Sequence, residues 1–271
     1  MAETKPVALV TGASSGIGKA ATLALVEAGF RVVGASRHAS RATLPDGVTF
    51  LDLDVTRDES VAAAVAQVIE RFGRIDVLVN NAGIGSAGAA EETSAAEDQR
   101  VFDVNVFGLM RMTKAVLPHM RARGRGRVVN VSSVAGFVPQ PFMAVYAATK
   151  HAVEGYSESL DHEVREHGVR VLRVAPGPVN TPFDENLVRA RIPLPAYAGR
   201  VRVFDDVMAG TMRGGDDPAV VAKAVVAAAT DPKPKLRYLA GSAAVRVATL
   251  RRLVPARVFD KGIRRLNRLT P

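Results

Sequence analysis

Residues 7–18 read Val-Ala-Leu-Val-Thr-Gly-Ala-Ser-Ser-Gly-Ile-Gly. The apolar run Val7 to Val10 suits a short strand buried on both faces, and the run stops at Thr11-Gly-Ala-Ser-Ser-Gly-Ile-Gly18. Apolar residues then recur at helical spacing through Ala21, Leu25 and Val26 as far as Gly29. A buried strand, a glycine turn and a helix in that order match the first crossover of a doubly wound parallel sheet. There the helix N-terminus and a closely approaching backbone hold a pyrophosphate. Gly12, Gly16 and Gly18 are the positions where a side chain would obstruct that approach. A plain Ser/Gly turn is the bland alternative, and the flanking strand and helix favour the dinucleotide.

The next strand, Phe30 to Ala35, ends at Ser36 and Arg37. An NAD site places a carboxylate here for the ribose 2′-hydroxyl, whereas NADP needs that charge absent and an arginine close by. Ser36 and Arg37 therefore point to NADP(H) rather than NAD(H), with a hydroxyl and a guanidinium on the 2′-phosphate. The competing reading of Arg37 is a solvated loop charge.

The chain goes on alternating. Val48 to Val55 reads as a third strand, and Thr56-Arg-Asp-Glu59 as a capping box for a helix to Gly73. Ile75 to Val79 is a fourth strand closed by Asn80-Asn-Ala-Gly83. Ser94-Ala-Ala-Glu97 opens a long helix that holds Asn105 and continues past Lys114 until Pro118 and the Arg/Gly-rich turn at 121 to 127. A fifth strand, Arg127 to Val131, delivers Ser133. The following helix buries Val153, Tyr156, Leu160 and Val164 and ends at Gly168. Val169 to Ala175 is a sixth strand, stopped by Pro176-Gly-Pro178. Asp217-Pro218 starts a helix to Ala229, and Leu236 to Ala240 is a seventh strand. The expected fold is α/β: one Rossmann-type sheet of about seven parallel strands with helices on both faces. Its ligands bind beyond the carboxyl ends of the strands, and Gly12, Arg37, Asp54, Asn81, Ser133 and Pro176 all follow strand ends.

Thirteen residues after Ser133 comes Tyr146-Ala-Ala-Thr-Lys150. Positions four apart share a helix face, so the phenol and the ammonium address one point. A free tyrosine has a pKa of about 10, and bringing it to about 7 takes about 4 kcal/mol of differential stabilisation. Lys150 lowers it, and a second positive charge is expected; the ring of an oxidised nicotinamide would supply it.

These motifs, in this order and spacing, resemble the short-chain dehydrogenase/reductase family over about residues 5 to 241. The resemblance rests on Thr11-Gly-x-x-x-Gly-x-Gly18, Asn80-Asn-Ala-Gly83, Asn105, Ser133, Tyr146-x-x-x-Lys150 and Pro176-Gly177. It implies that Tyr146 is the acid/base on the substrate oxygen, and that Ser133 polarises and orients that oxygen. Ser133 is preferred to Ser132 because strand alternation sends the two side chains to opposite faces and the family's spacing to the tyrosine favours the second. Lys150 would also hold the nicotinamide ribose hydroxyls, and Asn105 would position a water linking Lys150 to solvent. Further cofactor contacts implied are Ser14, Ser15 and Ile17 in the turn, Ala82 and Gly83, and Pro176 and Gly177. Asn81, Asp54 and Val55 fall on the adenosine side, and Val179 and Thr181 at the carboxamide. The reaction implied is hydride transfer between nicotinamide and a carbonyl carbon, without a metal.

Two stretches bear on the substrate. Val134 to Met143 is an apolar loop at the mouth of the site. Residues 181–215 form an insertion carrying Phe183, Leu187, Ile192, Leu194, Pro195, Tyr197 and Phe204, which reads as a lid or as an ordinary packed helical hairpin. The apolar loop, with Tyr146-x-x-x-Lys-His-Ala-Val-Glu-Gly-Tyr156 and the basic C-terminal extension, resembles the hydroxysteroid and retinol dehydrogenase-like branch. That resemblance implies a lipophilic alcohol, ketone or aldehyde of steroid, retinoid or long-chain type, and a homodimer or homotetramer.

Composition limits the alternatives. The 271 residues contain no cysteine, which excludes thiolate chemistry and disulfides, and the five histidines (38, 119, 151, 162, 167) show no metal-ligand spacing. The start lacks a signal-peptide core and no apolar run reaches the length of a membrane span, so a cytoplasmic protein is expected. Of the net charge of +9, seven belong to residues 242–271, a basic helical extension set apart from a catalytic domain over 1–241. Within it Val258 or Phe259, Ile263, Leu266 and Leu269 form one helix face and Lys261, Arg264, Arg265 and Arg268 the other. Two readings stay open: peripheral contact with an anionic membrane, or packing on its own domain or a neighbouring subunit. Nucleic-acid binding is disfavoured by the lack of interleaved aromatics. A dinucleotide-binding regulator without turnover would have no need of Tyr146.

Overall fold

A computed structural model describes residues 5–37 and 48–269 of the chain; His38 lies outside them. The first half runs β1 (Val7–Thr11), α1 (Gly16–Glu27), β2 (Arg31–Ser36), β3 (Thr49–Asp52), α2 (Asp58–Phe72), β4 (Val77–Asn80), β5 (Gly85–Ala87), α3 (Ala95–Phe102) and α4 (Leu109–Ala122). The second half runs β6 (Gly126–Val131), α5 (Ala144–Val164), β7 (Val169–Pro176), β8 (Leu187–Arg189), α6 (Ala198–Arg213), α7 (Pro218–Thr230), β9 (Arg237–Ala240), α8 (Ser242–Leu253) and α9 (Ala256–Leu266).

Seven strands form one parallel sheet in the order β3-β2-β1-β4-β6-β7-β9. Strand alternation sends Ala8, Val10, Val129 and Leu172 to one face, where they pack with Ala21 and Leu25 of α1 and Val221 and Val225 of α7. Val7, Leu9, Val33 and Val128 face the other way, onto Val65 of α2, Met112 and Val116 of α4, and Leu160 of α5. Both faces are thus apolar and covered, as the uninterrupted run in β1 requires. The strand order reverses between β1 and β4, and ligands of open α/β sheets bind at the crevice this opens.

Two local expectations are corrected. The Thr56–Glu59 capping box does not form: the Thr56 hydroxyl donates to Asp54 Oδ1 at 2.7 Å, and α2 starts after Arg57 without a side-chain cap. The short-range Asx-type turn at Asp54 outcompetes the cap for that hydroxyl. The long helix after Ser94 does open with its capping box, but a π-helical turn, Asp103–Gly108, interrupts it around Asn105. Beyond that turn the helix passes Pro118 and ends at Ala122. Proline removes one backbone hydrogen bond, while Val116 and Met120, both fully buried, anchor the turns on either side.

The insertion makes a contact with no sequence signal: its short strand β8 pairs in parallel with β5 of the body. The registered residues Gly85 and Leu187 lie so close that a Cβ on Gly85 would stand 2.3 Å from Leu187 Cδ2. Residues 181–215 are therefore pinned to the body beside the site, with α6 as their helical part.

Candidate active site

The carboxyl ends of the sheet open into one cleft of about 2100 Å³. All the expected site residues line it except Gly18 and Asn105, which stand behind its wall. At one end β1 turns into α1. Gly12 and Gly16 adopt φ of +65° and +50°, a left-handed conformation that favours glycine. Ser15 precedes the helix without a side-chain cap and the first turn of α1 holds no acidic residue, so the leading N–H groups remain for a ligand. Gly18 serves packing instead. A Cβ there would sit 2.1 Å from Gly12 O, so its absence lets α1 lie against its own entry turn.

Asn81 clasps the same turn. Its amide donates to Thr11 O at 3.0 Å and Gly12 O at 3.2 Å, while the Thr11 hydroxyl accepts from Asn81 N and Ala82 N at 3.1 and 3.0 Å. The Asn81 side chain is thus committed to the backbone of the turn, and Thr11, absent from the expected site, is its counterpart.

At the end of β2, Ser36 Oγ is buried without a hydrogen-bond partner among the described residues, and Arg37 is exposed beside it. A buried hydroxyl normally has a partner. The neighbouring carboxylate, Asp54, is partly buried, which raises its pKa, but hydrogen bonds from Thr56 and the positive field of Arg37 and Arg57 pull it below its ordinary value. The uncapped helix end, the glycine turn and the orphaned hydroxyl fit the pyrophosphate and ribose of a dinucleotide.

At the other end of the cleft α5 begins. Tyr146 N donates to the buried Ser86 Oγ at 3.0 Å, so β5 fixes the first turn of the helix. Thr149 Oγ1 donates to Tyr146 O at 2.7 Å and accepts from Asn105 Nδ2 at 3.1 Å. Asn105 spends the rest of its amide on Ile84, accepting from the N–H and donating to the carbonyl, both at 2.8 Å. Ser86 and Thr149 lie outside the expected site, since a buried serine and threonine carry no sequence pattern of their own. The side-chain amide of Asn105 works as a bracket between the π turn and the strand end.

The Lys150 ammonium donates to Val131 O at 2.9 Å and lies 5.7 Å from the centre of the Tyr146 ring. Burial lowers its pKa to about 8, against the opposing pull of Glu154. Burial also pushes the Tyr146 phenol up to about 12, and the Ser133 hydroxyl, within reach of the phenol, opposes that rise. The expectation that Lys150 brings the phenol down is therefore not met by the protein groups alone: desolvation outweighs them. Ser132 is buried away from the phenol, its Oγ without a hydrogen-bond partner among the described residues. Strand alternation thus separates the two serines, with Ser133 on the side of the phenol.

Behind Lys150, α5 carries a buried polar stripe of Glu154, Ser157 and Asp161. Glu154 accepts from Arg237 Nε at 2.9 Å and Arg173 Nη1 at 3.3 Å. Ser157 Oγ accepts from Asn130 at 2.8 Å. Asp161 is buried, which raises its pKa, yet hydrogen bonds from Arg170, Val171 N and Arg165 bring it to about 2. The stripe seats the helix on β6 and β7 and so fixes where Tyr146 stands.

Apolar side chains surround the phenol. Ala87, Met143 and Phe204 are buried together, with Phe142, Phe183, Leu187 and Met208 packed on them, and the Phe183 and Tyr146 rings meet edge to face at 5.5 Å. Not all of the insertion turns inward: Ile192 is 79% exposed.

A doubly wound sheet with a glycine turn at its switch point and a Ser, Tyr and Lys group across the cleft defines a dinucleotide-dependent oxidoreductase architecture. Residues 6–191 match the model of the short chain dehydrogenase family, and the chain belongs to that family of oxidoreductases acting on CH-OH and C=O groups. Among its relatives, 3-ketodihydrosphingosine reductase of Bacteroides thetaiotaomicron is 45% identical over 180 residues, 66% of either chain and so just under two thirds. Human retinol dehydrogenase 8 is 36% identical over 88% of this chain and 82% of its own. A short-chain dehydrogenase from Streptomyces avermitilis superposes with a TM-score of 0.79 at 37% identity, covering 97% and 98% of the two chains. Related structures contain NAD in a Burkholderia phymatum protein (TM-score 0.77, 28% identity, 92% and 93% coverage) and NADP in one from Burkholderia cenocepacia (0.77, 27%, 98% and 98%). The family thus supports a nicotinamide cofactor, with both forms represented.

Proposed function

We propose that this protein is an NADP(H)-dependent dehydrogenase/reductase that interconverts a lipophilic alcohol and its ketone or aldehyde. The observation that carries the reading is the surround of Tyr146: a half-buried side chain packed with the apolar cluster of Phe183, Leu187, Met143 and Phe204, with Ser133 and Lys150 on its polar side. A polar substrate would lose hydration against these walls without compensation, whereas a long-chain or ring carbonyl gains burial. Two relatives, named as a retinol dehydrogenase and a 3-ketodihydrosphingosine reductase, have substrates of this kind.

A nicotinamide held in the cleft would supply or accept the hydride. In reduction the phenol of Tyr146 gives its proton to the substrate oxygen, and the Ser133 hydroxyl donates a hydrogen bond to the same atom as its charge grows. A phenol held at about 12 is fully protonated at neutral pH, the state reduction needs. In oxidation Tyr146 must first lose that proton, so the oxidative rate rises with pH. Lys150 would hold a ribose hydroxyl of the cofactor, and it adds positive charge behind the phenol. Ser36 Oγ and Arg37 take the 2′-phosphate, which favours NADP(H) over NAD(H). Residues 181–215 exclude water.

The test is a panel of carbonyls with NADPH. Long-chain ketones, retinoid aldehydes and steroid ketones should be reduced with kcat/KM at least about tenfold above short polar aldehydes and sugars, as methylene burial demands. Turnover confined to the small polar members would overturn the substrate class.

A further inference from the structure

The C-terminal pair α8 and α9 contributes no residue to the lining of the cleft. Among the described residues, five of the nine exposed large apolar side chains fall between 245 and 266: Val245, Leu250, Leu253, Val258 and Leu266, with Leu253 72% and Leu266 71% exposed. Residues 242–271 carry eight cations to one carboxylate, Asp260. The pair is docked on the body by a minority of its apolar residues. Ala244 is fully buried and Arg200 Nη1 donates to Arg268 O at 3.1 Å, while Phe259, 8% exposed with the Arg251 guanidinium over its ring, joins the two helices to each other.

The apolar arc of α9 is wider than the body covers. At 3.6 residues per turn, Phe259 and Ile263 form the side facing the protein, while Val258, Gly262 and Leu266 fall within about 80° of one another on the adjoining side, uncovered. Lys261 and Arg265, both exposed, border that strip. Leu253 and Val258 flank the Pro255 corner that joins the helices, Leu253 at the end of one and Val258 in the first turn of the other.

We propose that the face built by α8 and α9 lies on an anionic lipid surface, with Leu250, Leu253, Val258 and Leu266 entering the acyl boundary and the bordering cations on the headgroups. Charge chooses the occupant. A second copy in a two-fold contact would bring the same excess of positive charge against itself. A nucleic acid would meet the charges but leave the aliphatic chains uncovered, and the one aromatic ring of the stretch, Phe259, is buried and offers no stacking surface. A bilayer satisfies both halves, and it is also where a lipophilic substrate resides. No helix of the described residues is long and apolar enough to cross a membrane, so the contact is one of lying on it.

The experiment is flotation of the full-length protein with vesicles of phosphatidylcholine alone and of phosphatidylcholine mixed with phosphatidylglycerol, at low and high salt. The expected result is recovery with the anionic vesicles, at least about tenfold weaker with neutral ones, and weakened by salt. Two variants separate the contributions: Leu253→Ser with Leu266→Ser, and Arg252→Gln with Lys261→Gln and Arg265→Gln. Each should lose at least about tenfold of the anionic-vesicle binding. All five positions are exposed, and unchanged thermal unfolding and NADPH binding verify the fold. No flotation, equal recovery on both vesicle types, or wild-type binding by both variants would overturn the proposal. So would a change in oligomeric mass on either set of substitutions, which would assign the face to a second copy. None of these outcomes bears on the reductase reading.

Discussion

Lys150 is a charged group held in a place that disfavours charge. Its pKa falls from 10.5 to about 8, because burial costs more than Glu154 returns. Each pKa unit corresponds to about 1.4 kcal/mol, so the protonated form carries a penalty of about 3 kcal/mol in the fold. The sign follows from proton counts. Between pH 8 and 10.5 the unfolded chain keeps this proton and the folded chain does not, so stability rises with pH across that window. Replacement by methionine removes the dependence. Urea unfolding of wild type and Lys150→Met from pH 7 to 11 should show the wild type gaining about 3 kcal/mol on the variant across the window. Parallel curves would mean that the ammonium is not desolvated as described. At this scale the sequence was partly legible: helical spacing sets Tyr146 and Lys150 on one face, whereas the choice of Ser133 over Ser132 needed the family's spacing as well as strand alternation. The direction of the tyrosine shift was not, because burial is a property of the packed molecule. Ser86 and Thr149 were invisible for the same reason.

Helix α1 and its entry turn show how an element is shaped by one missing atom. Gly18 has an ordinary backbone, yet a Cβ there would stand 2.1 Å from Gly12 O and 2.5 Å from Asn81 Nδ2. The first of these is main chain and has no rotamer to escape into. Gly18→Ala must therefore push α1 off the turn, with a loss of stability of about 1–3 kcal/mol and at least about tenfold weaker NADPH binding. Calorimetry and a fluorescence titration would measure the two, and a variant with wild-type affinity would refute the packing role. The glycine spacing was legible because the turn is short and contiguous. Other elements hid. The π turn around Asn105 and the β5–β8 pair arise from contacts with distant residues, and the Thr56 capping pattern was real but lost its hydroxyl to Asp54.

At the scale of the molecule, the alternation of strands and helices sufficed to foresee a doubly wound sheet, and the strand order puts every strand-end motif along one edge. What alternation cannot specify is which strand end meets which, and the cofactor reading depends on that. Ser36 and Arg37 close β2 next to β1, so the hydroxyl and guanidinium share the cleft with the glycine turn. Arg37→Asp should lower kcat/KM for NADPH by about 10²-fold or more and spare NADH, since a carboxylate repels the 2′-phosphate and accepts from a 2′-hydroxyl. Equal effects on both cofactors would make Arg37 a bystander. The buried stripe on α5, tied through Arg173 and Arg237 to β7 and β9, links the placement of Tyr146 to the far edge of the sheet.

The central claim is that Tyr146 hands a proton to a carbonyl oxygen in an apolar site. Its most direct test is single-turnover reduction of a long-chain ketone by NADPH, wild type against Tyr146→Phe, with NADPH affinity measured on the same samples. The variant keeps the ring and loses only the hydroxyl, so its rate should fall by about 10³-fold or more while it binds NADPH within about threefold of wild type. A variant that reduces the ketone at the wild-type rate would contradict the claim.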